Sequence, residues 1–249
     1  MKTPKVHIYG LGNVGYHLYL LFKNKEVNLG HVFSDYDNDL GVQVVKKNKI
    51  SEICPDEFVF ITTSDKAVVD TISILTSYTN NIIITAGGIH KNELPENVSV
   101  FYPLYSFSKY SVIDWAKVPI FLEGFSHNSI EFNVLLNQLQ LRHSFLNSDD
   151  RNKMHLAAVF VNNFTNANLI AASEVLQSYE INMFEHLIPI LLQTAEKVLT
   201  NNPKDCQTGP AVRGDKEVID HHLKLLSELK EEKELYILLN KYIEQKFNN

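Results

Sequence analysis

The sequence has few of the residues that build a disulfide framework and no apolar run long enough for a membrane. Its two cysteines, Cys54 and Cys206, match no C-x-x-C spacing and argue against a disulfide-stabilised secreted fold. No apolar run approaches the about 18 residues of a transmembrane helix. The first predicted strand begins almost at the N-terminus and leaves no room for a signal peptide, so we expect a cytoplasmic protein.

The sequence also lacks a block of Lys and Arg, and its formal net charge is −6. Neither a nucleic acid nor an anionic membrane would be attracted to such a chain, so we expect neither as a partner. No metal site is expected, because the adjacent His221 and His222 would point about 100° apart on a helix. The 249 residues, 45% hydrophobic and 21% charged, are typical of a globular protein with one large or two modest domains.

Only ten glycines occur, and three of them stand together in V-H-I-Y-G-L-G-N-V-G, residues 6–15. The run Val6–Tyr9 predicts a buried strand, and residues 16–22 predict the helix that follows. Gly10 would permit the tight turn, Gly12 would let a pyrophosphate approach the backbone, and Gly15 would let helix and strand pack closely. We therefore predict a dinucleotide pyrophosphate at this helix N-terminus, bound by the loop residues Gly10, Leu11, Gly12, Asn13, Val14 and Gly15.

The choice between NAD and NADP stays open. Asp35 directly follows a predicted second strand (27–34) and lies 20 residues after Gly15. At this distance an acidic residue commonly holds a ribose 2′-hydroxyl, which would favour NAD. If Ser34 ends the strand instead, its side chain would meet the ribose or a 2′-phosphate. Residues 34–40 contain no cation for such a phosphate. The acidic residues Asp35, Asp37 and Asp39 are also compatible with a solvated turn.

Strands and helices then alternate, which predicts βαβ units and a mostly parallel, Rossmann-like sheet. A short helix is expected at 40–47 and a short strand at 49–53; the further strands are expected at 58–61, 82–85, 98–102, 118–122 and 142–146, with helices at 67–77 and 129–139. Ligands bind beyond the carboxyl ends of parallel strands. The small residues at those ends, Thr62, Thr63, Ser64 and Gly87, are therefore predicted to contact the nicotinamide half of the cofactor. Helix capping and a simple turn are the alternative interpretations.

No strand is predicted after residue 147, so the chain divides into an α/β domain (1–147) and an all-helical domain (148–249). A helix capped by Ser148 runs to about residue 177, with an apolar face intended for the core: Leu156, Ala157, Phe160, Val161, Phe164, Ala167, Ala171 and Val175. A polar stripe lies opposite: Arg151, His155, Asn162 and Asn166. Because Asn is a poor helix former, the stripe predicts hydrogen bonding to a ligand; a solvated face is the alternative.

Catalytic and substrate-binding groups follow from this stripe and from two loops. His155 is the best acid–base candidate because imidazole titrates near neutral pH, with Lys109 and Asn162 as further catalytic candidates. Arg151 and Arg213 are candidates to bind a carboxylate or phosphate. The remaining candidate substrate-binding residues are Asn166 on the stripe and Gln207 and Thr208, which share the loop Q-T-G-P-A-V-R-G-D (207–215) with Arg213.

The whole chain resembles a family that joins a Rossmann-like NADP-binding domain to a helical domain of unknown function and is described as NADP oxidoreductases. The resemblance rests on residues 10–15, 102–109, 155–164 and 207–215. That family is distantly similar to pyrroline-5-carboxylate reductase and to 6-phosphogluconate dehydrogenase-like enzymes. The resemblance implies a cofactor cleft that is closed by the helical domain and a homodimer that is formed by the helices of that domain. Relatives often carry an Arg directly after the second strand, where this chain has Ser34 and Asp35.

These observations predict an NAD(P)-dependent oxidoreductase that transfers a hydride to or from a small polar or anionic substrate. A Rossmann-like fold does not itself specify chemistry, so a cofactor-binding sensor or scaffold without turnover remains the alternative. A nucleotide-sugar in the same cleft is a third possibility.

Overall fold

A computed structural model of the protein describes residues 3–35, 38–125 and 130–247. The chain forms two compact units, Met1–Asn162 and Asn163–Asn249. The first contains a seven-stranded sheet and the second is built from helices, so the predicted fold class is confirmed. The secondary structure changes at residue 147, between the last strand and the next helix, whereas the first compact unit continues to Asn162.

The sheet has the strand order β2-β1-β3-β4-β5-β6-β7, and all neighbouring pairs are parallel except β5 and β6. The strands are β1 (Val6–Tyr9), β2 (Leu29–Phe33), β3 (Phe58–Ile61), β4 (Asn81–Ile84), β5 (Val98–Pro103), β6 (Ile120–Glu123) and β7 (His143–Phe145). β1 and β3 lie inside the sheet and are buried along their whole length. This is why both read as continuous apolar runs in the sequence.

The helices of the first unit cover both faces of the sheet. They are α1 (Asn13–Asn24), α2 (Asp65–Leu75), α3 (Ile130–Leu139) and α4 (Ser148–Ala158). Alternate side chains of a strand point to opposite faces. Val6 and Ile8 accordingly join the core layer that contains α1 and α3, whereas Tyr9 joins the layer that contains α2. Both layers hold the glycine loop after β1 in a fixed position.

The predicted short helix at 40–47 and strand at 49–53 are wrong. Residues 42–46 are extended, with an isolated parallel bridge from Val45 to Phe33, and a 3₁₀ helix covers Lys47–Glu52. The Ser34 N–H donates to the Val45 carbonyl, and the Val45 N–H donates to the Val32 carbonyl. These hydrogen bonds to β2 outweigh the weak helix propensity of the segment. Asp37, part of the predicted acidic turn, and Ser129, the predicted start of α3, lie outside the described residues.

The predicted helix from 148 to 177 is interrupted. A π-helical segment, Val159–Phe164, separates α4 from α5 (Thr165–Ser178). A π turn is wider than an α turn, so the assumed 100° period does not hold across residues 159–164. The N-cap is also corrected: the Asn147 side chain accepts from the Asp150 N–H, which leaves the Ser148 hydroxyl to bond Glu123.

The second unit continues with α6 (Ile188–Lys197), α7 (Pro210–Arg213), α8 (Lys216–Leu225) and α9 (Lys230–Phe247). Pro189 lies in the first turn of α6, where its missing N–H costs nothing. Asp215 caps α8 by accepting from the Val218 N–H. None of the described helices is both long and apolar enough to cross a membrane.

The apolar face predicted for the core of the helical domain is exposed in the single chain. Leu156, Phe160 and Val161 are 59%, 62% and 76% exposed. Among the described residues from 163 to 247, the buried hydrophobic side chains are Ala211 and Leu226. The prediction that these residues form the core of the helical domain is therefore wrong for one copy of the chain.

At the amino-terminal edge of the sheet, Glu57 accepts hydrogen bonds from buried His7 and from the Cys54 N–H and pairs with Lys5. The His7 Nδ1 accepts from the His31 N–H, so the neutral ring donates to Glu57 through Nε2–H. Burial lowers the pKa of His7, which agrees with a neutral ring. Burial opposes ionisation of Glu57, but the three donors outweigh it and lower the pKa of Glu57 to about 2.

Glu57→Gln is therefore expected to lower the free energy of unfolding at pH 7 by on the order of 2 kcal/mol. A carboxyl whose pKa is depressed on folding stabilises above its ordinary pKa of 4.5 and loses that contribution as pH falls towards 2. The difference between variant and parent should shrink over that range in urea titrations. Glu52→Gln, which removes an exposed carboxylate paired with His31, is the control. A difference that is independent of pH would contradict the assignment.

Candidate functional site

The glycine loop has the geometry that its spacing predicts. Gly10 has φ +109°, a conformation that L side chains rarely adopt. A Cβ on Gly15 would lie 2.4 Å from the Gly10 carbonyl oxygen and 2.5 Å from Thr62 Oγ1. A Cβ on Gly12 would meet the Thr62 carbonyl oxygen at 3.9 Å, the one heavy atom within 4 Å in the described part of the chain. Gly10 and Gly15 thus serve the turn and the packing, and Gly12 leaves space beside the backbone.

The N-terminus of α1 is suited to an anion. The helix begins at Asn13 with Gly12 as N-cap, and no side-chain hydrogen bond caps it. The first turn carries no acidic residue, so its free N–H groups and partial positive charge are not neutralised locally. Leu11, Asn13 and Val14 line this turn and are exposed or half-buried.

The three small residues after β3 have different roles. The Thr62 hydroxyl is buried and donates to the Gly10 carbonyl, so this side chain supports the glycine loop and is not free to bind a ligand. Thr63 Oγ1 is buried without a hydrogen-bond partner in the described structure. Ser64 is exposed at the N-terminus of α2 and makes no capping hydrogen bond. Thr63 and Ser64 therefore have hydroxyls available beside the glycine loop.

The end of β2 brings two lysines to Asp35 that the local sequence does not predict. Lys46 Nζ donates to the Asp35 carbonyl at 2.9 Å, and Lys47 Nζ lies 3.3 Å from the Asp35 carboxylate. Lys47 also lies over the ring of Tyr9, 5.0 Å from its centroid. Ser34 is buried at the strand end. The absence of cations from residues 34–40 is thus offset by the segment that returns alongside β2.

His155 contacts the carboxyl end of β5. Its Nδ1 lies 2.8 Å from the hydroxyl of Tyr102, the rings meet edge to face, and the imidazole is exposed. Within the described residues, the tyrosine supplies the one hydrogen bond that the His155 side chain makes. Burial raises the pKa of Tyr102, which keeps its hydroxyl protonated at neutral pH. The Tyr102 hydroxyl can donate to Nδ1 when the imidazole carries its proton on Nε2, and it can accept from Nδ1–H in the other tautomer or in the imidazolium.

Gly87 lies against both members of this pair. A Cβ at this position would stand 2.7 Å from the Tyr102 ring and 3.1 Å from His155 Nδ1. The loop after β4 therefore needs a glycine where Tyr102 and His155 meet. This contact explains Gly87 without the cofactor contact predicted from the sequence.

The predicted substrate-binding role of Arg151 is wrong. The side chain is fully buried, and its guanidinium binds the Glu123 carboxylate at 2.8 Å. It also donates to the backbone carbonyls of Ala86, Gly87 and Ile89. These partners use its donors, and Glu123 neutralises its charge, so no carboxylate or phosphate of a substrate can reach it.

Lys109 lies in the loop after β5 and is half-buried. Buried His17 of α1 fixes this loop: its Nε2–H donates to the Ser108 carbonyl at 2.7 Å, and its ring stacks near Phe107. Lys109 is therefore held close to the helix that follows the glycine loop. Its role in catalysis stays a prediction.

The other candidates are exposed. Asn162 lies in the π-helical segment, and Asn166 lies in α5 beyond it, so the two do not continue the Arg151–His155 stripe as a regular helix would. Gln207, Thr208 and Arg213 belong to the second unit, where Arg213 is 63% exposed and lies 3.9 Å from Asp215. Their substrate-binding roles stay predictions.

Sequence reasoning missed Tyr102, Glu123, Lys46 and Lys47. Tyr102 ends a predicted strand, and a polar group at the carboxyl end of a parallel strand is a usable signal. Glu123 directly follows the predicted strand 118–122, but β6 runs antiparallel to β5, so that rule does not apply to it. The lysines gave no such signal, because their segment was assigned to a helix. Among the described residues, no group of His, Cys, Asp and Glu could hold a metal ion.

The glycine loop, the uncapped helix and the polar groups at the carboxyl edge define a Rossmann-type protein. The sequence model of the family "Domain of unknown function (DUF2520)" matches residues 118–243. The chain belongs to this family, and the resemblance noted from its sequence motifs is confirmed.

Solved structures share this architecture over nearly the whole chain. A protein of Bacteroides fragilis, described as a candidate NADP oxidoreductase, is 28% identical with a TM-score of 0.84, and the match covers 98% of both chains. Pyrroline carboxylate reductase of Plasmodium falciparum, solved with NADP, is 12% identical with a TM-score of 0.56 and covers 98% and 99% of the two chains. A reductive aminase of Aspergillus terreus, solved with NADPH, is 16% identical with a TM-score of 0.63 and covers 98% and 93%. No curated protein matches the sequence.

Proposed function

We propose that the protein is an NAD(P)-dependent oxidoreductase that transfers a hydride between the cofactor and a small polar or anionic carbonyl or imine. The observation that carries the proposal is the His155–Tyr102 pair at the same sheet edge as the glycine loop. The 28% identical protein of Bacteroides fragilis, described as a candidate NADP oxidoreductase, supports the cofactor class. Two distant relatives of the same fold are a pyrroline carboxylate reductase and a reductive aminase, and both names describe reductions.

The residues present fit a dinucleotide. Gly12 leaves space for a pyrophosphate against the backbone, and the first turn of α1 offers free N–H groups. The buried, unpaired hydroxyl of Thr63 is a hydrogen-bonding group that a ligand can satisfy. A bound nicotinamide would supply the hydride, and the protein must supply the proton.

His155 is the proposed proton donor. Because the Tyr102 hydroxyl holds Nδ1, the imidazole presents Nε2 to its surroundings. An imidazolium at this position can give its Nε2 proton to a carbonyl oxygen or imine nitrogen and become a neutral imidazole. Tyr102 fixes the ring orientation by accepting from Nδ1–H during the transfer. Because the imidazole is exposed, solvent can return the proton to Nε2 between turnovers.

Measurements of cofactor binding and of turnover distinguish the proposed enzyme from a cofactor-binding sensor or scaffold. NADPH and NADH would be titrated by the change in their fluorescence, and the bound form would then be offered a panel of carbonyls and imines. Oxidation of the cofactor with at least one compound supports the enzyme. Tight binding without oxidation across the panel supports the sensor, and failure to bind either dinucleotide rejects both.

Gly12→Val is expected to weaken binding of both cofactors by at least about 100-fold, because its side chain fills the space needed by the pyrophosphate. Gly12→Ala should give an intermediate loss, and circular dichroism should show an intact fold in both variants. Unchanged affinity for NAD and NADP in folded Gly12→Val would contradict the pyrophosphate site.

Lys46 and Lys47 are proposed to let the site accept a 2′-phosphate although no Arg follows β2. Lys47→Met is expected to weaken the binding of NADPH by about 10-fold and that of NADH much less, since one charge-assisted contact with the 2′-phosphate is lost. The exposed Lys49→Met, two residues away in the same 3₁₀ helix, is the matched control. Equal losses for NADPH and NADH would show that Lys47 does not contact the phosphate.

A homodimer through the C-terminal helices remains part of the proposal. The exposed apolar side chains on α4, the π segment and α5 support the proposal, because the same face of a second copy of this chain would cover them in a two-fold symmetric dimer. Arg213, Gln207 and Thr208 are proposed to bind the substrate, from either copy.

A further inference from the structure

A buried polar network joins α4 to the loop after β4 and to the end of β6. Arg151 binds Glu123 through Nε at 3.3 Å and Nη2 at 2.8 Å. The Ser148 hydroxyl donates to the other oxygen of Glu123 at 2.7 Å and accepts from the Lys91 N–H at 2.7 Å. The side-chain polar atoms of Arg151, Glu123 and Ser148 all have hydrogen-bond partners, so the network is fully connected.

The loop after β4 needs this network because of the local topology. β4 connects to β5 without an α-helix; the connection has one short 3₁₀ helix, Lys91–Glu93. The carbonyls of Ala86, Gly87 and Ile89 therefore lack donors from a following helix, and the guanidinium of Arg151 supplies them. A buried carbonyl without a donor costs about 1–3 kcal/mol, so the loop conformation depends on Arg151.

Stability alone is a weak explanation for such a pair. The desolvation cost of a buried ion pair offsets much of its attraction, and apolar residues of similar volume often stabilise as well or better. A planar guanidinium does what an apolar side chain cannot: it holds several acceptors in fixed directions. The acceptors here are the carboxylate at the end of β6 and three carbonyls of one loop.

The network is also adjacent to the proposed proton donor. His155 lies one helical turn after Arg151, so both project from the same face of α4. Gly87, whose carbonyl binds Arg151, lies against both Tyr102 and His155. Movement of either α4 or this loop would therefore change the separation of His155 Nδ1 and Tyr102 Oη.

We infer that Arg151 and Glu123 are positioning residues that hold α4 and Gly87 so that His155 meets Tyr102. This inference rests on the proposed function, in which that pair delivers a proton. The charge of Arg151 also reaches the pair directly. Burial raises the pKa of Tyr102, and the positive charge of Arg151 lowers it.

The test compares three variants with the parent. Arg151→Lys keeps the charge but loses the fork of donors, and Arg151→Met with Glu123→Gln removes both charges without leaving one buried alone. Lys153→Met removes an exposed cation from the same helix, one that pairs with Asp150, and is the matched control. Thermal melts identify the folded variants, and crystal structures measure the distance from His155 Nδ1 to Tyr102 Oη. NMR of tyrosine labelled with ¹³C at Cζ follows Tyr102, assigned with Tyr102→Phe.

We expect both Arg151 variants to lengthen or break the His155–Tyr102 contact and to lower kcat by about 100-fold, with KM for the cofactor changed little. In the charge-free double variant the Tyr102 resonance should titrate at higher pH than in the parent. In Arg151→Lys, which keeps the charge, Tyr102 should titrate as in the parent, but the His155–Tyr102 distance should still be longer. Lys153→Met should behave as the parent in every measurement.

The inference is overturned if a folded Arg151 variant keeps the contact, the Tyr102 titration and the kcat of Lys153→Met. It is also overturned if activity falls only in proportion to the unfolded fraction. A broken contact in a protein whose activity does not depend on His155 would instead reject the proposed function and leave the positioning role intact.

Discussion

Replacing His155 with asparagine is expected to lower kcat by about 100- to 1,000-fold while cofactor affinity stays near that of the parent. A general acid typically contributes this factor, and His155 lies at the sheet edge without forming part of the glycine loop. The measurement is single-turnover oxidation of bound NADPH with the best substrate of the panel. The separate titration of NADPH binding shows whether the loss is in chemistry or in binding.

Tyr102→Phe is the companion variant, because it keeps the ring that packs on Gly87 and removes only the hydroxyl. Loss of one orienting hydrogen bond is expected to cost about 10-fold in kcat. Combined with His155→Asn, it should cost little more than His155→Asn alone, since the two groups act as a unit. If His155→Asn turns over at the rate of the parent, the proton donor lies elsewhere, and Lys109 becomes the next candidate.

The second large effect is expected for assembly. The parent should sediment at twice its 28.5 kDa mass at micromolar concentration, because the helical half leaves large apolar side chains such as Phe160 and Val161 exposed in the single chain, and grouped exposed apolar side chains are typical of an interface. Val161→Asp places a carboxylate in the proposed interface and should raise the dimer dissociation constant by at least about 100-fold, since a buried charge without a partner is very unfavourable.

Val112→Asp is the matched control. Val112 is 97% exposed, more than Val161, but it lies in the loop after β5 and not on the helical face. It should leave the dimer intact. A parent that sediments as a monomer of 28.5 kDa would reject the homodimer, and equal effects of the two aspartates would reject this face as the interface.

The glycine loop shows how far local sequence goes. Gly10, Gly12 and Gly15 could be given separate tasks because each task is a steric requirement on one backbone position, and such requirements are local. The strands β1 and β3 could also be predicted from local sequence, because a strand that is buried on both faces requires an uninterrupted run of apolar residues.

Arg151 shows where the same reasoning stops. Its spacing from His155 correctly placed both on one face of α4, but an arginine that binds a substrate and one that binds Glu123 have the same helical phase. The distinction depends on one residue 28 positions away, Glu123, and on the carbonyls of a loop more than 60 positions away. Lys46 and Lys47 were missed for a related reason, since hydrogen bonds to β2 decided the conformation of their segment.

The sequence by itself determined the Rossmann-type sheet, the helical second half and the glycine loop, because periodicity and glycine spacing express requirements that neighbouring residues meet among themselves. The tertiary structure decided which polar side chains are free to act. It paired His155 with Tyr102, neutralised Arg151 with Glu123 and brought lysines to Asp35. Availability of a charged group depends on its partners across the fold, and those partners come from distant strands and loops that only folding brings together.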